Sequence, residues 1–487
     1  MSVNILRLPN RFYPDFKRVI IRFYDLGSKR SEDLVKKVIE MSDEQVDLTL
    51  AQTLREFSKR HRNITQKFLE HFKKANEIIN SPALEMDMMK EDRKLLIGSY
   101  FSMEYSITSA AFFNPSMVES PDQSGLIEGS KRVIVSFRAT GEGHLSSIVF
   151  HTGTISKEGE LDFETSGSYV DEAEVVKRIQ YNKGSFMKKL REMNVHEDTF
   201  ALVADRLGDK FSYEELQHAV QETIALNNTN ETKTQAISQI MWLADSHYKI
   251  EFSRDTHISE RVIFPVSYSE RKGIEDARFV RFIDDDGEIS YYATYTAYDG
   301  NAILPKLMVT KDFYNFEVKP LHGEGAQNKN LALFPRKING KYVMLSRIDG
   351  INSYIGFSDK INIWQQPIKI QEPKYYWEYV QIGNAGAPIE TPQGWLLITH
   401  GVGPMRRYCL GASLLDLDDP TKEISRLQEP LLIPNDEERE GYVPNAVYSC
   451  GSIIHNDKIF IPYGLSDTSS GFISVDVKAL LDKLLAV

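Results

Sequence analysis

Two hydrophobic patterns divide the chain. Between residues 1 and 95 apolar positions recur at helical spacing, with Ile64, Phe68, Leu69, Phe72, Ala75 and Ile79 on one face. Ser42 with Gln45 three residues on has the form of a capping box, in which two side chains satisfy backbone donors at a helix start. A second helical stretch runs from about 171 to 250. There Leu216, Ala219, Val220 and Ile224 make a stripe behind the capping pair Ser212 and Glu215, and the polar run 227–234 reads as a loop.

Everything else reads as strand, and the strands repeat. A polar turn, an apolar strand and a polar or glycine-rich exit occur in SKRVIVSFRATGEG (130–143), DGEISYYATYTAYDG (286–300), NGKYVMLSRIDG (339–350), QGWLLITHGVG (393–403) and NDKIFIPYGLSD (456–467). The turn positions Gly287, Gly340, Gly394 and Asp457 lie 53, 54 and 63 residues apart. Such a period suits a four-stranded propeller blade of roughly 40–50 residues with its loops. Five copies predict a mainly β protein, a five-bladed β-propeller over 96–487, carrying a helical N-terminal extension (1–95) and a helical insertion (about 171–250). An antiparallel sandwich with several hairpins is the alternative. Six or seven places after the turn, four copies carry Arg138, Arg347, His400 and Tyr463. Equivalent positions in successive blades face a common axis, so these four are expected at one mouth.

Composition narrows the chemistry. The chain has 487 residues and a formal net charge of −11, an acidity that argues against a nucleic-acid partner, which calls for a basic face. Only Cys409 and Cys450 occur, so a disulfide framework or a four-cysteine zinc site is excluded; both sit in apolar contexts and read as buried thiols. No apolar run approaches the ~18 residues of a membrane span. The first twenty residues contain Arg7, Arg11, Asp15, Lys17 and Arg18, unlike a secretory signal. A cytoplasmic protein without membrane association is expected. There is no P-loop or dinucleotide fingerprint and no metal-ligand pattern, and Asp284–Gly287 reads as a turn. The apolar face within 1–95 is expected to pack on the propeller flank or on a second copy, giving a homo-oligomer.

The densest acidic feature is Glu275-Asp276-Ala277-Arg278 within ERKGIEDARFVRFIDDDG. Asp276 beside arginines is either an ion pair that pins a strand or a carboxyl group held for general acid catalysis, as glycosidic cleavage requires. No second carboxylate stands at a diagnostic spacing, whereas a glycosidase of the usual kind uses two. His144, in GEGHLSS, either lines the pocket or caps a loop.

GIEDARFVRF, YTAYDG (295–300), NKNLALFPRKINGKYVMLSR (328–347), IGNAGAPIETPQGWLLITHGV (382–402), LLDLDDP (414–420) and EGYVPNAVYSCG (440–451) together resemble glycoside hydrolase family 130. The resemblance covers roughly 110–155 and 260–475 and implies a five-bladed propeller acting on β-mannosides. Most such enzymes are inverting phosphorylases that release α-mannose 1-phosphate; a minority are hydrolases. The family's catalytic aspartate maps to Asp276, protonating the leaving oxygen through the mannose 3-hydroxyl, and one carboxylate suffices because phosphate is itself the nucleophile. By the same resemblance Asn114, Ser116, Arg138 and Asp467, with Glu275, Arg278 and Tyr298, hold the sugar. Lys329, Arg347 and His400 hold phosphate, with Gln381 where the family usually has lysine and Ser346 where it often has histidine. Inorganic phosphate is then the co-substrate, and no cofactor or metal is expected. Alternatives are an exo-acting β-mannosidase, a mannosyltransferase running in reverse, or an inactive sugar-binding scaffold. A scaffold would need neither Asp276 nor the basic pair Arg347 and His400.

Overall fold

The computed structural model describes residues 3–81, 84–167, 169–176, 180–226, 231–300 and 302–486. Five antiparallel sheets of four or more strands dominate it, one with a parallel edge pair. Each begins with a leading strand: Ala111–Glu119, Ile274–Ile283, Ala332–Leu333, Gln381–Asn384 and Val447–Tyr448. The five repeats fall one to a sheet, as Lys131–Thr140, Ile289–Tyr298, Tyr342–Ser346, Gly394–Val402 and Lys458–Leu465, each paired with its leading strand. The repeat is legible because these second strands are buried on both faces and so carry near-continuous apolar runs.

Consecutive sheets are tied by short polar links. Asn114 on the first donates to Asp276 on the second at 2.8 Å, and Thr294 donates to the carbonyl of Leu331. Asn330 and Asn384 exchange side-chain to main-chain bonds of 2.7–2.9 Å. The amide of Tyr408 donates to Asn445 O, and Cys450 N donates to Pro115 O at 2.9 Å. Gly383 is needed here by space alone, since a Cβ would stand 2.3 Å from Asn330 Oδ1 and 2.7 Å from His400 Cε1.

The N-terminal region, read as mainly helical over 1–95, opens instead with two strands. Ile5–Phe12 is a strand that pairs antiparallel with Ser469–Asp476 and completes the fifth sheet. Arg7 locks it with a two-pronged bond to buried Glu438, 2.9 Å at each oxygen. Asp15–Phe23 pairs with Ser102–Thr108. Helices begin only at Ser28: α1 (Ser28–Glu40), α2 (Asp43–Phe57), α3 (Ile64–Ile79) and α4 (Glu91–Tyr100). The Ser42–Gln45 capping box forms as read. The apolar face of α3 is covered inside the chain: Phe72, Ala75 and Ile79 pack with Val35, Val38, Leu96 and Ile97 from α1 and α4. That stripe therefore does not itself call for a second subunit.

The insertion holds α5 (Lys183–Glu192), α6 (Glu197–Ala204), α7 (Tyr213–Leu226) and α8 (Glu231–Asp245). Ser212 and Glu215 cap α7 reciprocally at 2.7 and 3.1 Å, whereas Ile224 of the expected stripe is 44% exposed. Of the run 227–234, residues 227–230 lie outside the described residues, and α8 takes up the rest from Glu231. The insertion's flanks are strands: Glu174–Val176 and Tyr248–Glu251 extend the second sheet. Its helices and that sheet share one core, in which Phe186, Phe200 and Leu243 join Phe279, Tyr291 and Tyr295. No helix among the described residues is long and apolar enough to cross a membrane.

Beneath this junction lies a fully buried polar cluster. Glu270 accepts from Lys306 Nζ (2.9 Å), Tyr295 OH (2.6 Å), Tyr248 OH (2.9 Å) and the amides of Val266 and Ser267 (3.1 and 3.0 Å). It braces the turn that delivers Glu275 and Asp276. Breaking such a pair leaves a buried charge without compensation, so Glu270→Ala should cost about 3–5 kcal/mol of unfolding free energy. The double variant Glu270→Gln with Lys306→Met should recover most of it, read by urea denaturation. A single-variant loss below about 1 kcal/mol would mean that the cluster does not carry this junction.

Candidate functional site

A cavity of about 210 Å³ is lined by residues from all five sheets: Asn114 and Arg138, Glu275 and Asp276, Lys329 and Arg347, Gln381 with Arg406 and Tyr408, and Tyr448 with Asp467. Two matching backbone devices aim its central pair. In the first leading strand the two residues between Phe113 and Ser116 face only the one between Arg138 and Ser136, and in the second the two between Glu275 and Arg278 face the one between Thr296 and Thr294. Each is a bulge of one extra residue, which re-aims a side chain. The residues turned are Asn114 (φ 49°) and Asp276 (φ 54°), both left-handed, a conformation that Asn and Asp tolerate better than other side chains.

Asp276 accepts from Asn114 Nδ2 at 2.8 Å and lies 3.5 Å from Arg138 Nη1. Burial alone would raise its carboxyl. The charges of Arg138 and Arg278, the Asn114 bond and Lys329 outweigh burial and hold it below the ordinary carboxylate value. Glu275 is spent on cations, with Arg138 Nη2 at 3.0 Å and Lys329 Nζ at 2.5 Å. Arg278 stands behind the wall, donating to the Asp276 carbonyl at 3.0 Å and to Tyr448 OH at 2.6 Å.

Like Arg278 and Arg406, Arg347 pairs with no carboxylate among the described residues. Its Nη1 donates to His400 Nε2 at 3.0 Å, and its buried Nε donates to no group among the described residues. His400 in turn donates Nδ1–H to Asn384 O at 2.9 Å. Burial, then the charges of Arg347 and Arg278, hold the imidazole well below its ordinary value, so it is neutral and accepts from the guanidinium. The lining carries four cations (Arg138, Lys329, Arg347, Arg406) against three carboxyl groups (Glu275, Asp276, Asp467). An excess of positive charge in a partly buried cleft is the setting for an anion.

Asp467, which no spacing in the sequence connects to Asp276, is a further carboxyl group in the same cavity. It sits in the turn between Lys458–Leu465 and Ser469–Asp476 at φ 53°. Burial first, then the negative charge of Asp276, raises its carboxyl to about 6. A carboxyl whose folded value lies above its unfolded one binds more protons in the folded state, so stability falls as pH rises from about 4 to about 6. Asp467→Asn does not ionise and should gain thermal stability relative to the wild type across that window. A melting-temperature difference flat from pH 4 to 7 would refute the shift.

Eight of the twelve sequence-derived site residues line the cavity: Asn114, Arg138, Glu275, Asp276, Lys329, Arg347, Gln381 and Asp467. Ser116, Arg278 and His400 stand behind the lining. Ser116 Oγ accepts from Phe279 N at 3.1 Å across the first two sheets. Tyr298 is not brought in; its hydroxyl donates to Gly300 O at the end of its strand. Tyr463, expected at the mouth with the other repeat positions, instead donates to Glu438 at 2.7 Å. His144 is exposed, its ring 5.0 Å from that of Tyr442. Sequence reading missed Arg406, Tyr408 and Tyr448. The Arg406-Arg407 doublet directly after a repeat strand was the available signal, but which arginine faces the cavity is set by the left-handed turn at Met405 and Arg406 (φ 59° and 53°).

Residues 228–485 match the glycoside hydrolase family 130 description, beta-1,4-mannooligosaccharide phosphorylase. The chain belongs to that family. The 1,2-beta-oligomannan phosphorylase of Thermoanaerobacter sp. (strain X514) is 40% identical over 43% of this chain and 70% of its own length. The beta-1,2-mannobiose phosphorylase of Listeria innocua is 31% identical over 49% of this chain and 69% of its own. The solved structure of the Listeria innocua enzyme with beta-1,2-mannobiose aligns with 79% of this chain and 94% of its own, at 23% identity and a TM-score of 0.46.

Proposed function

We propose that the protein is an inverting phosphorylase of β-mannosides, releasing α-mannose 1-phosphate and a sugar shortened by one unit. The observation that carries this reading is Arg347, a part-buried guanidinium without a carboxylate partner, facing the same cavity as Asp276. Hydrolysis has no use for such a group, while phosphorolysis needs a cation beside the nucleophile. Arginine's planar fork suits two phosphate oxygens. Lys329, Arg347 and Arg406 receive phosphate, His400 orients Arg347, and Gln381 adds a neutral contact.

A phosphate oxygen attacks the anomeric carbon from the face opposite the glycosidic oxygen, the carbon–oxygen bond breaks, and the leaving oxygen takes a proton from Asp276, directly or through a sugar hydroxyl. The hydrogen phosphate restores that proton. Asp276 rests ionised, and an incoming phosphate offsets the cations that hold its carboxyl low, raising its proton affinity when the acid is needed. Asn114, Arg138 and Asp467 hold the sugar, and Ser116 and Arg278 hold the wall.

The five sheets are read as the blades of a five-bladed propeller, the leading strands innermost. The support is one repeat per sheet, the links between successive sheets, and the return from fifth to first through the Ser116–Gly451 bridge. Hydrolysis remains the second reading, because Asp467 supplies a carboxyl of raised affinity beside Asp276. Incubation with β-1,2-, β-1,3- and β-1,4-mannobiose, with and without phosphate, separates the two. Mannose 1-phosphate should form only with phosphate. Free mannose released at a rate indifferent to phosphate would establish the hydrolase.

A further inference from the structure

A larger cavity, about 650 Å³, lies between the insertion and the second sheet, apart from the one holding Asp276. Trp242 and Tyr213 from the insertion and Tyr268 from the turn before the second leading strand line it, with Gln235 and Gln239 on α8. Asp245 and Asp299 are also on its wall, and no lysine or arginine is among the described lining residues. Flat aromatic faces combined with amides and carboxylates suit a ligand that is apolar on its ring faces and hydroxylated at its edges. Two acidic side chains without a lining cation disfavour phosphate or any other anion.

The wall is braced before any ligand arrives. Tyr268 N donates to Asp245 at 2.9 Å, and Arg271, packed on the Tyr268 ring at 4.1 Å, donates to the Tyr268 hydroxyl and to Asp299 O. The buried Nε1 of Trp242 donates to no group among the described residues, a donor that a ligand oxygen would satisfy after a small ring movement. One strand of the second sheet leads from the catalytic cleft towards this cavity. Glu275 pairs with Thr296 in the second sheet, and Asp299 lies three residues further along that strand's exit, roughly 10 Å at strand rise.

We propose that this cavity is a second carbohydrate-binding site, taking a neutral pyranose unit of an oligosaccharide. It would hold a chain beside the cleft in which its end is cleaved. Only the choice of a β-mannan as the natural occupant rests on the function proposed above.

The chain's own tryptophans supply the test. Of four, Trp364, Trp377 and Trp395 are fully buried, so Trp242 alone meets a cavity ligand. The full chain is titrated with β-1,2-mannotriose, maltotriose and cellotriose while tryptophan emission is followed. The site requires a saturable change with at least one trisaccharide, expected for mannotriose at millimolar half-saturation or tighter, and its disappearance in Trp242→Phe. Gln235→Ala with Gln239→Ala, both surface changes on α8, should weaken half-saturation about tenfold through two lost hydrogen bonds while leaving mannobiose turnover unchanged. No response to any of the three sugars, a response that persists in Trp242→Phe, or unaltered half-saturation in the double-glutamine variant overturns the proposal. A response to maltotriose or cellotriose without mannotriose keeps the site and counts instead against the β-mannoside reading, which the product assay decides separately.

Discussion

Asp276→Asn should lower turnover by at least the ~10²–10⁴-fold that general acid catalysis contributes, without unfolding the protein. The substitution suits this position because asparagine tolerates the left-handed backbone (φ 54°) as well as aspartate does. Its side-chain oxygen can still accept the 2.8 Å bond from Asn114, and Arg138 keeps Glu275 as its charge partner. What is lost is the titrating proton. Turnover within a few-fold of wild type would remove Asp276 from the chemistry. A collapse in melting temperature would show instead that the carboxylate serves mainly to bind the first two sheets together.

Arg347→Ala should abolish phosphate dependence far more than it weakens sugar binding. The guanidinium contacts neutral His400 and no carboxylate, so its removal leaves no buried anion stranded and the fold should survive. The loss of two charge-assisted bonds, about 1.5–3 kcal/mol each, predicts a rise of at least a hundredfold in the phosphate concentration for half-maximal rate. The response to mannobiose should change only a few-fold. Gln381→Lys should move phosphate the other way, since it adds a cation to the same lining. Equal losses for phosphate and sugar in Arg347→Ala would mean that it shapes the cavity without touching the nucleophile. Inorganic phosphate should also raise the melting temperature of the wild type, as a ligand specific to the folded state does, and should do so much less in Arg347→Ala.

The two patterns in the sequence were enough to find five repeat strands, the capping boxes of α2 and α7, and the Glu275-Asp276 block, because each is a local signal. A two-face-buried strand must be apolar throughout, a helix start must satisfy its own amides, and a carboxylate set among arginines stands out in a short window. The resemblance to a family then placed Asn114, Lys329, Gln381 and Asp467, lining residues that no spacing could have connected. Local signals failed where a partner lies far along the chain. Ile5–Phe12 becomes a strand only because Ser469–Asp476 offers it an edge and Glu438 a counter-charge for Arg7. Asp467 and Asp276 are 191 positions apart in the chain, so no window could show two carboxyl groups in one cavity or the shift to about 6 that their proximity helps produce. Tyr463 was misplaced for the reverse reason: its offset resembles those of Arg138 and Arg347, but side-chain direction at a strand end follows the turn that comes next. The amino-acid sequence alone determined the five repeat strands and which residue types could carry the chemistry. The tertiary structure decided which of them meet, and therefore that Arg347 faces the cavity without a carboxylate, because charge balance in a cleft is a property of neighbours in space.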